Sequence, residues 1–554
     1  PSGMNFIYRG SIRKKTGGRS LPGSVGSLFA GLIMAVSGFF QKNAFTRMVC
    51  ILGFTSFSLF TAWYLMPKAE YLPQGNQNII MSVLVPPPGY SAEKRREVGR
   101  HIYRQMKPHL EKDGINGIPQ VKNAFYVSSE MFSFAGLTCV EEHETDARKL
   151  IPLMNRIIGS VPDMLGVSIQ PGIFETQIGR GRTVEVNISG ESLPGIVQSA
   201  GILFGALREA VPGAQIRPVP SLELAYPECN IIPDKRKLAA SGLNETDLGV
   251  YVDVLMNGHT IGEYRPEGGY HIDLVVRSDE ERFRTPEDIL NCSIVNNFGH
   301  LVRIGDVAHI EYSLGMTQID RLEKRRNVRL EVTPPDDIPL QAAMETIDGL
   351  IGRFQQEGRL QGVIVGVGGS ADKLVQTRMA LQWNFLLALI IVYLLMSSLF
   401  ENFLYPFIIM FSVPLAAAGG FIGLWLINRM VAHQPLDVLT MLGFVILIGT
   451  VVNNAILIVH QSLNNVRYEA MAGLDAIRES VRTRIRPIFM SAFTSLSALI
   501  PLVLSTGSGS EMYRGIGSVL LGGLMLSSVF TLFVIPALLA FFIGFETRKN
   551  VTVE

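Results

Sequence analysis

The chain has 554 residues, 47% of them hydrophobic, and a mean hydropathy of +0.27, which is too apolar for an ordinary soluble protein. Its charged fraction of 18% is too high for a helical bundle alone, so both water and lipid must solvate it. The formal net charge of +1 is spread along the whole length, so no acidic or basic tail points to nucleic acid or to anionic lipid as the main partner.

A basic stretch (Arg9, Arg13, Lys14, Lys15, Arg19) opens the chain. Because it begins at Pro1, with Met4 following, an excerpt of a longer protein is expected. Next comes the apolar run Leu28 to Phe40, whose large residues Leu28, Phe29, Leu32, Ile33, Val36, Phe39 and Phe40 recur at helical spacing. The run is short, and only Gln41, Lys42 and Asn43 part it from the next one, so the expectation is an interfacial helix on the cytoplasmic face; the alternative is a signal-peptide-like segment or a span, which would flip the parity of the spans.

A spanning helix needs about 20 mostly apolar residues. Candidates are 46–66, 384–400, 404–427, 438–460, 487–505 and 515–543, six in all. The Lys/Arg bias sets orientation: Arg467, Arg478, Arg482, Arg484 and Arg486 follow the fourth span and Arg548 and Lys549 the last, whereas 428–437 and 506–514 carry only Arg429 and Arg514. The segment between the first and second spans is therefore expected on the periplasmic or extracellular side.

That segment alternates strand and helix periods. Ile79–Val85 (strand), Ala92–Glu111 (helix), Lys122–Tyr126 and Met131–Val140 (strands), Asp146–Ser160 (helix) and Gly166–Ile169 (strand) compose a split βαβ unit. A second unit starts at Thr183–Ile188, Leu193–Ala210 and Ala214–Val219, is interrupted, and resumes at Asn327–Val332, Leu340–Gln355 and Gly362–Val367. The interruption, 244–314, is rich in strands and turns.

Cysteines 50, 139, 229 and 292 make no CxxC pair. Cys139, Glu141 and His143 alternate along a strand, a pattern a metal would need a fourth ligand to use, so a solvated strand end is expected and no metal site. No enzyme constellation stands out: Gly507-Ser508-Gly509 lacks the strand–turn–helix of a nucleophile elbow, and no Walker lysine is present. The chemistry-bearing feature lies in the fourth span, Gly449-Thr450-Val451-Val452-Asn453-Asn454-Ala455. Two adjacent amides inside a membrane are costly unless they face the protein interior, though helix–helix hydrogen bonding would also explain them.

With Arg484-Ile485-Arg486-Pro487 through Ser491, the Ser505–Ser510 loop, Leu521-Gly522-Gly523-Leu524, Ile535-Pro536-Ala537, Tyr71-Leu72-Pro73, Pro86-Pro87-Pro88-Gly89, Phe132-Ser133-Phe134-Ala135-Gly136, Pro233 to Leu243, Gly299 to Arg303 and Phe400-Glu401-Asn402-Phe403, the chain resembles the C-terminal half of a resistance–nodulation–division (RND) efflux permease of the hydrophobe/amphiphile drug-export branch. The resemblance covers nearly the whole chain. It implies a six-span membrane α-helical bundle plus an α+β periplasmic domain of two split βαβ (ferredoxin-like) porter subdomains with an inserted docking subdomain. The implied divisions are a cytoplasmic segment with the interfacial helix (1–45), the family's seventh span (46–66), the first porter subdomain (72–172), the second (173–243 and 315–370), the docking subdomain (244–314), the eighth to twelfth spans (380–545) and a cytoplasmic tail (546–554).

It further implies a multi-pass protein of the bacterial inner membrane, drug/proton antiport driven by the proton motive force without a cofactor, and assembly as a trimer. The implied partners are an N-terminal half carrying the family's acidic pair, a periplasmic adaptor and an outer-membrane channel. Asn453, Asn454, Ser491 and Arg484 would form the wall facing that pair; Met131, Phe132 and Phe134 would line the substrate pocket, and aromatic walls suit amphiphiles. The chain departs from the family where Asn453 stands for a common lysine, Ser491 for a threonine and His460 for an acid, and where Leu137-Thr138-Cys139 shortens the glycine-rich switch loop. No span carries a buried Asp or Glu. The alternatives are an accessory or structural half-transporter, a heavy-metal-export variant, and a six-span protein-export accessory, which lacks the Asn-Asn span.

Overall fold

A computed structural model describes residues 21–550, apart from 74–76, 86–89, 112–116, 130–132, 163–164, 173–181, 221, 223–225, 280–284, 316–317, 336, 506 and 508. Helix α1 (Leu21–Gln41) packs against the bundle: Ile33 is buried, Ser37 Oγ donates to the carbonyl of Leu532 at 3.2 Å, and Leu32 and Phe39 stay exposed. Arg47, at the start of α2 (Ala44–Leu65), donates to the carbonyls of Gln41 and Ala540, which ties the end of α1 to the last span.

The first sheet comprises β1 (Ile80–Val85), α3 (Ala92–Glu111), β2 (Val121–Ser128), β3 (Ser133–Cys139), α4 (Ile151–Gly159) and β4 (Leu165–Ile169). Its strand order is β2-β3-β1-β4 with every neighbour antiparallel, the arrangement a split βαβ unit requires. Period-2 alternation sends Ile80, Leu84, Ala135, Leu137 and Cys139 onto the helices, where they meet Val98, Ile102 and Met106 of α3 and Leu153, Met154 and Ile157 of α4.

Two expectations fail here. The strand ends at Cys139, and Glu141–Leu150 is a 3-10 turn, so Cys139, Glu141 and His143 do not share a strand face. Glu141 instead pairs with Lys122 at 2.7 Å, and Cys139 is buried. The helix expected over Asp146–Ser160 becomes α-helical only at Ile151, because Pro152 lacks a backbone N–H and fits a first turn.

The second sheet comprises β5 (Val184–Gly190), α5 (Leu193–Ala210), β6 (Gln215–Val219) and, after an excursion, strands with the same order. The excursion leaves on β7 (Tyr226–Pro233) and passes through α6 (Lys235–Ala240), α7 (Glu245–Met256), the hairpin β8 (His259–Tyr264) and β9 (Ile272–Val276), and α8 (Pro286–Leu290). It then follows β10 (Ser293–Val295), β11 (Leu301–Arg303) and α9 (Ile304–Val307), and returns on β12 (Ala308–Gly315), which pairs antiparallel with β7. Leu238 and Leu243 pack with Leu248, Ile289, Ile294 and Ile304, so the excursion begins earlier than the Asn244 boundary that turn composition suggested. Then come β13 (Asp320–Leu322), β14 (Arg325–Thr333), α10 (Leu340–Gln356) and β15 (Val363–Gly369). β15 pairs β5, β5 pairs β14 and β14 pairs β6, all antiparallel, which repeats the order of the first sheet.

With no intervening loop, β15 runs into α11 (Ser370–Phe400), which is followed by α12 (Leu404–Met410), α13 (Ser412–Met430), α14 (Val438–Arg467), α15 (Gly473–Leu504) and α16 (Ser510–Asn550). Six helices among the described residues are long and apolar enough to cross a membrane: α2, α11, the combined Leu404–Met430, α14, α15 and the first part of α16. The α13–α16 crossing is made of glycine. A Cβ on Gly423 would lie 2.4 Å from the Ser518 carbonyl, and one on Gly522 would lie 2.3 Å from that of Gly419. Such small residues let backbones touch where lipid gives helices no hydrophobic reason to associate.

Candidate functional site

The fourth span divides its two amides. Asn454 is buried, and its Nδ2 donates to Ser528 Oγ of α16 at 3.1 Å, while that hydroxyl donates to the Leu524 carbonyl at 2.6 Å. Asn453 points the other way, exposed, with no hydrogen-bond partner among the described residues. It shares an exposed face of α14 with Leu442, Ile446, Thr450 and His460, at spacings of three and four residues and their multiples. His460 Nδ1 lies 3.3 Å from Asn464 Nδ2, one turn on.

Helix α15 flanks this face. Asn465 of α14 donates to Ser480 Oγ at 3.1 Å, and Arg484 donates to Gln461 Oε1, so the two antiparallel helices keep one register. Continued along both helices, that register brings Ser491 level with Asn454. Ser491 is exposed, and its hydroxyl bonds its own helix at the Ile488 carbonyl, 3.1 Å away, rather than either amide. Arg484 is held by Gln461, about 12 Å along the helix from Asn453 at 1.5 Å per residue. The four wall residues therefore occupy neighbouring helices without forming one hydrogen-bonded group.

Met131 and Phe132 lie outside the described residues. Phe134 lies on the face of the first sheet turned away from α3 and α4, opposite Val127 of β2 and Val83 of β1. Beside it, Phe125 covers Gly136, where any side chain would meet the ring: a Cβ there would sit 2.3 Å from it. Phe125 and Val127 are exposed, which makes this face an apolar, aromatic surface. Sequence periodicity did not single out Phe125 and Val127, since their role follows only from the β2–β3 register. The second sheet differs: its free face carries Glu185, Arg217, Arg329 and Glu331, with Arg217 and Arg329 both on Glu331.

A third polar group joins the α+β region to the bundle. Glu70, 2% exposed, accepts from Arg182 Nη2 at 2.9 Å and from the backbone N–H of Leu340 at 2.7 Å, so it closes the first turn of α10. Its own N–H donates to the Leu436 carbonyl at 3.0 Å. The next residue, Asp437, is fully buried, caps α14 by accepting from the Thr440 N–H at 2.7 Å, and receives Gln434 Nε2 at 3.4 Å. Burial pushes the Asp437 carboxyl up to about 6, the Glu70 charge adding to the rise against the pull of the Thr440 hydrogen bonds. An acid just before an apolar helix signals a cap, which would have flagged Asp437; nothing local marks Glu70 or Arg182.

A family model described as the AcrB/AcrD/AcrF family matches residues 36–543. The swarming motility protein SwrC of Bacillus subtilis (strain 168) is 26% identical over 336 residues, which is 60% of this chain and 31% of that protein. An uncharacterized transporter of Haemophilus influenzae is 24% identical over 450 residues, 80% of this chain and 42% of that one. Among solved structures, the crystal structure of a heavy metal efflux pump superposes with a TM-score of 0.72 at 23% identity, covering 95% of this chain and 53% of the other. The chain thus spans about half, or less, of the length of these relatives.

Proposed function

The chain belongs to the AcrB/AcrD/AcrF family of resistance–nodulation–division permeases, and from that premise we propose that it is the six-span half of a proton-driven pump exporting amphiphiles. The observation that carries this reading is the exposed polar face of α14. Asn453 and His460 stand exposed on a spanning helix, and Asn453 has no hydrogen-bond partner among the described residues, a costly state in hydrocarbon that a second half carrying carboxylates would relieve. Protonation of those carboxylates would change their hydrogen bonding to Asn453 and so the packing of the two halves.

In this reading the two sheets are porter units in the periplasm, the excursion is a docking module, and the protein sits in the bacterial inner membrane as a trimer with an adaptor and an outer-membrane channel. The Phe125–Phe134 face would meet the apolar part of a substrate. Asn453→Leu tests the proposal in cells that carry the native gene. Because Asn453 has no hydrogen-bond partner among the described residues, the variant should accumulate at the parental level while efflux of an amphiphilic dye drops about tenfold, the scale of one lost intramembrane contact. Unchanged efflux at equal protein level would favour an accessory half-transporter. The same assay with metal salts separates the second reading, heavy-metal export, which the fold of the solved neighbour favours.

A further inference from the structure

On the helix side of the first sheet, away from the aromatic face, α3 and β2 enclose a groove of about 480 Å³ lined by Arg95, Arg96, Gly99, Arg100, Tyr103 and Tyr126. We propose that this groove is a binding site for a small anionic amphiphile: a carboxylate, sulfonate or phosphate head on a flat or alkyl body.

Its floor is built rather than incidental. The Tyr126 ring lies directly on α3 at Gly99, where a Cβ would come within 2.6 Å of it, and Tyr126 Oη is fixed by the Arg95 carbonyl at 3.2 Å and Ser133 Oγ at 3.3 Å. Arg95 is pinned to the Tyr90 carbonyl at 2.6 Å. Arg96 and Arg100 are one helical turn apart, exposed, and neither has an ion-pair partner among the described residues. The carboxylate next along the helix, Glu97, is taken by Lys94 at 3.0 Å.

Two like charges at this spacing repel each other, and among the described residues no acidic side chain lines the groove to relieve them. An anion held between the two guanidiniums would do so, and guanidinium geometry suits the paired oxygens of such heads. Tyr103, half-exposed, and Tyr126 offer ring faces to the body of the ligand. The volume falls in the range of about 300–1,000 Å³ typical of small-molecule sites.

Binding here does not depend on export, so the test reads it directly on the full chain in phosphatidylcholine nanodiscs. Benzophenone-4-carboxylate is photolysed with the protein, in parallel with its neutral carboxamide, and the labelled peptides are mapped. The carboxylate should label 92–128 at least fivefold more than the carboxamide, and an excess of 2-naphthalenesulfonate should suppress that labelling while the same concentration of inorganic phosphate does not. The double change R96Q/R100Q, and G99A separately, should cut labelling at least fivefold, whereas the distant R236Q should leave it unchanged. Equal labelling by the two probes, equal displacement by phosphate, or full labelling of the double variant would overturn the proposal. Should the double variant fail to fold, the probe comparison on the parent chain decides.

Discussion

Asp437 begins the span that carries both intramembrane amides, and its buried carboxyl faces Glu70, itself held by Arg182. Because its value in the fold is raised above the ordinary 3.8, its contribution to stability is fully present at lower pH and is lost as pH climbs through about 6. Asp437→Asn keeps a capping oxygen and removes the charge. It should stabilise the fold at pH 8 by on the order of 1–2 kcal/mol, read as a higher thermal unfolding midpoint, and flatten the decline expected of the parent between pH 4 and 7. A parent whose midpoint rises through that interval would contradict the assignment. The amides of the fourth span were legible because polar groups inside an apolar run are conspicuous. Ser528, the partner that buries one of them, was not: a serine in a helix satisfies itself on the preceding turn, as Ser528 does on Leu524, and so costs little anywhere in a span.

At the scale of elements, the glycine crossing of α13 and α16 sets how closely the centre of the bundle packs. Gly423→Leu forces those backbones apart and should destabilise the chain by about 2 kcal/mol or more, measured as thermal unfolding in detergent. Gly205→Ala, on α5 where a Cβ meets nothing within 4 Å, should instead be neutral or slightly stabilising. Equal losses in both would mean that close contact at the α13–α16 crossing does not decide the cost, since helix propensity favours both substitutions. Long periodic elements were legible almost to the residue, α3 among them, since an amphipathic helix writes its buried face into its spacing. The 3-10 entry to α4 was not, because Glu141–Leu150 carries helical composition and only Pro152 delays the α-helix. The pairing of β7 with β12, some eighty residues on, was not legible either, because no local pattern shows it.

At the scale of the whole molecule, the β8–β9 hairpin stands without a cover: Ile261, Tyr264, Ile272, Leu274 and Val276 are all exposed, on both faces. Two strands alone are marginally stable in water, so this ribbon calls for a second surface, which a neighbouring copy would supply in the trimer proposed above. The double change Ile261→Asp and Leu274→Asp should convert a purified multimer to single chains, seen by light scattering, with circular dichroism unaltered; a retained multimer would place the contact elsewhere. The common order of the two sheets was legible from their repeated periods, whereas which face of each sheet is aromatic or charged depends on register.

Helix α11 follows β15 directly, the chain turning between them at Gly369 (φ +76°), and runs for 31 residues, about 46 Å at 1.5 Å per residue. A rod of that length is a lever. Tilting its membrane end by about 5° swings the end attached to the second sheet by about 4 Å, more than the width of a side-chain contact. Motion small enough for the bundle to permit therefore arrives in the α+β region already magnified.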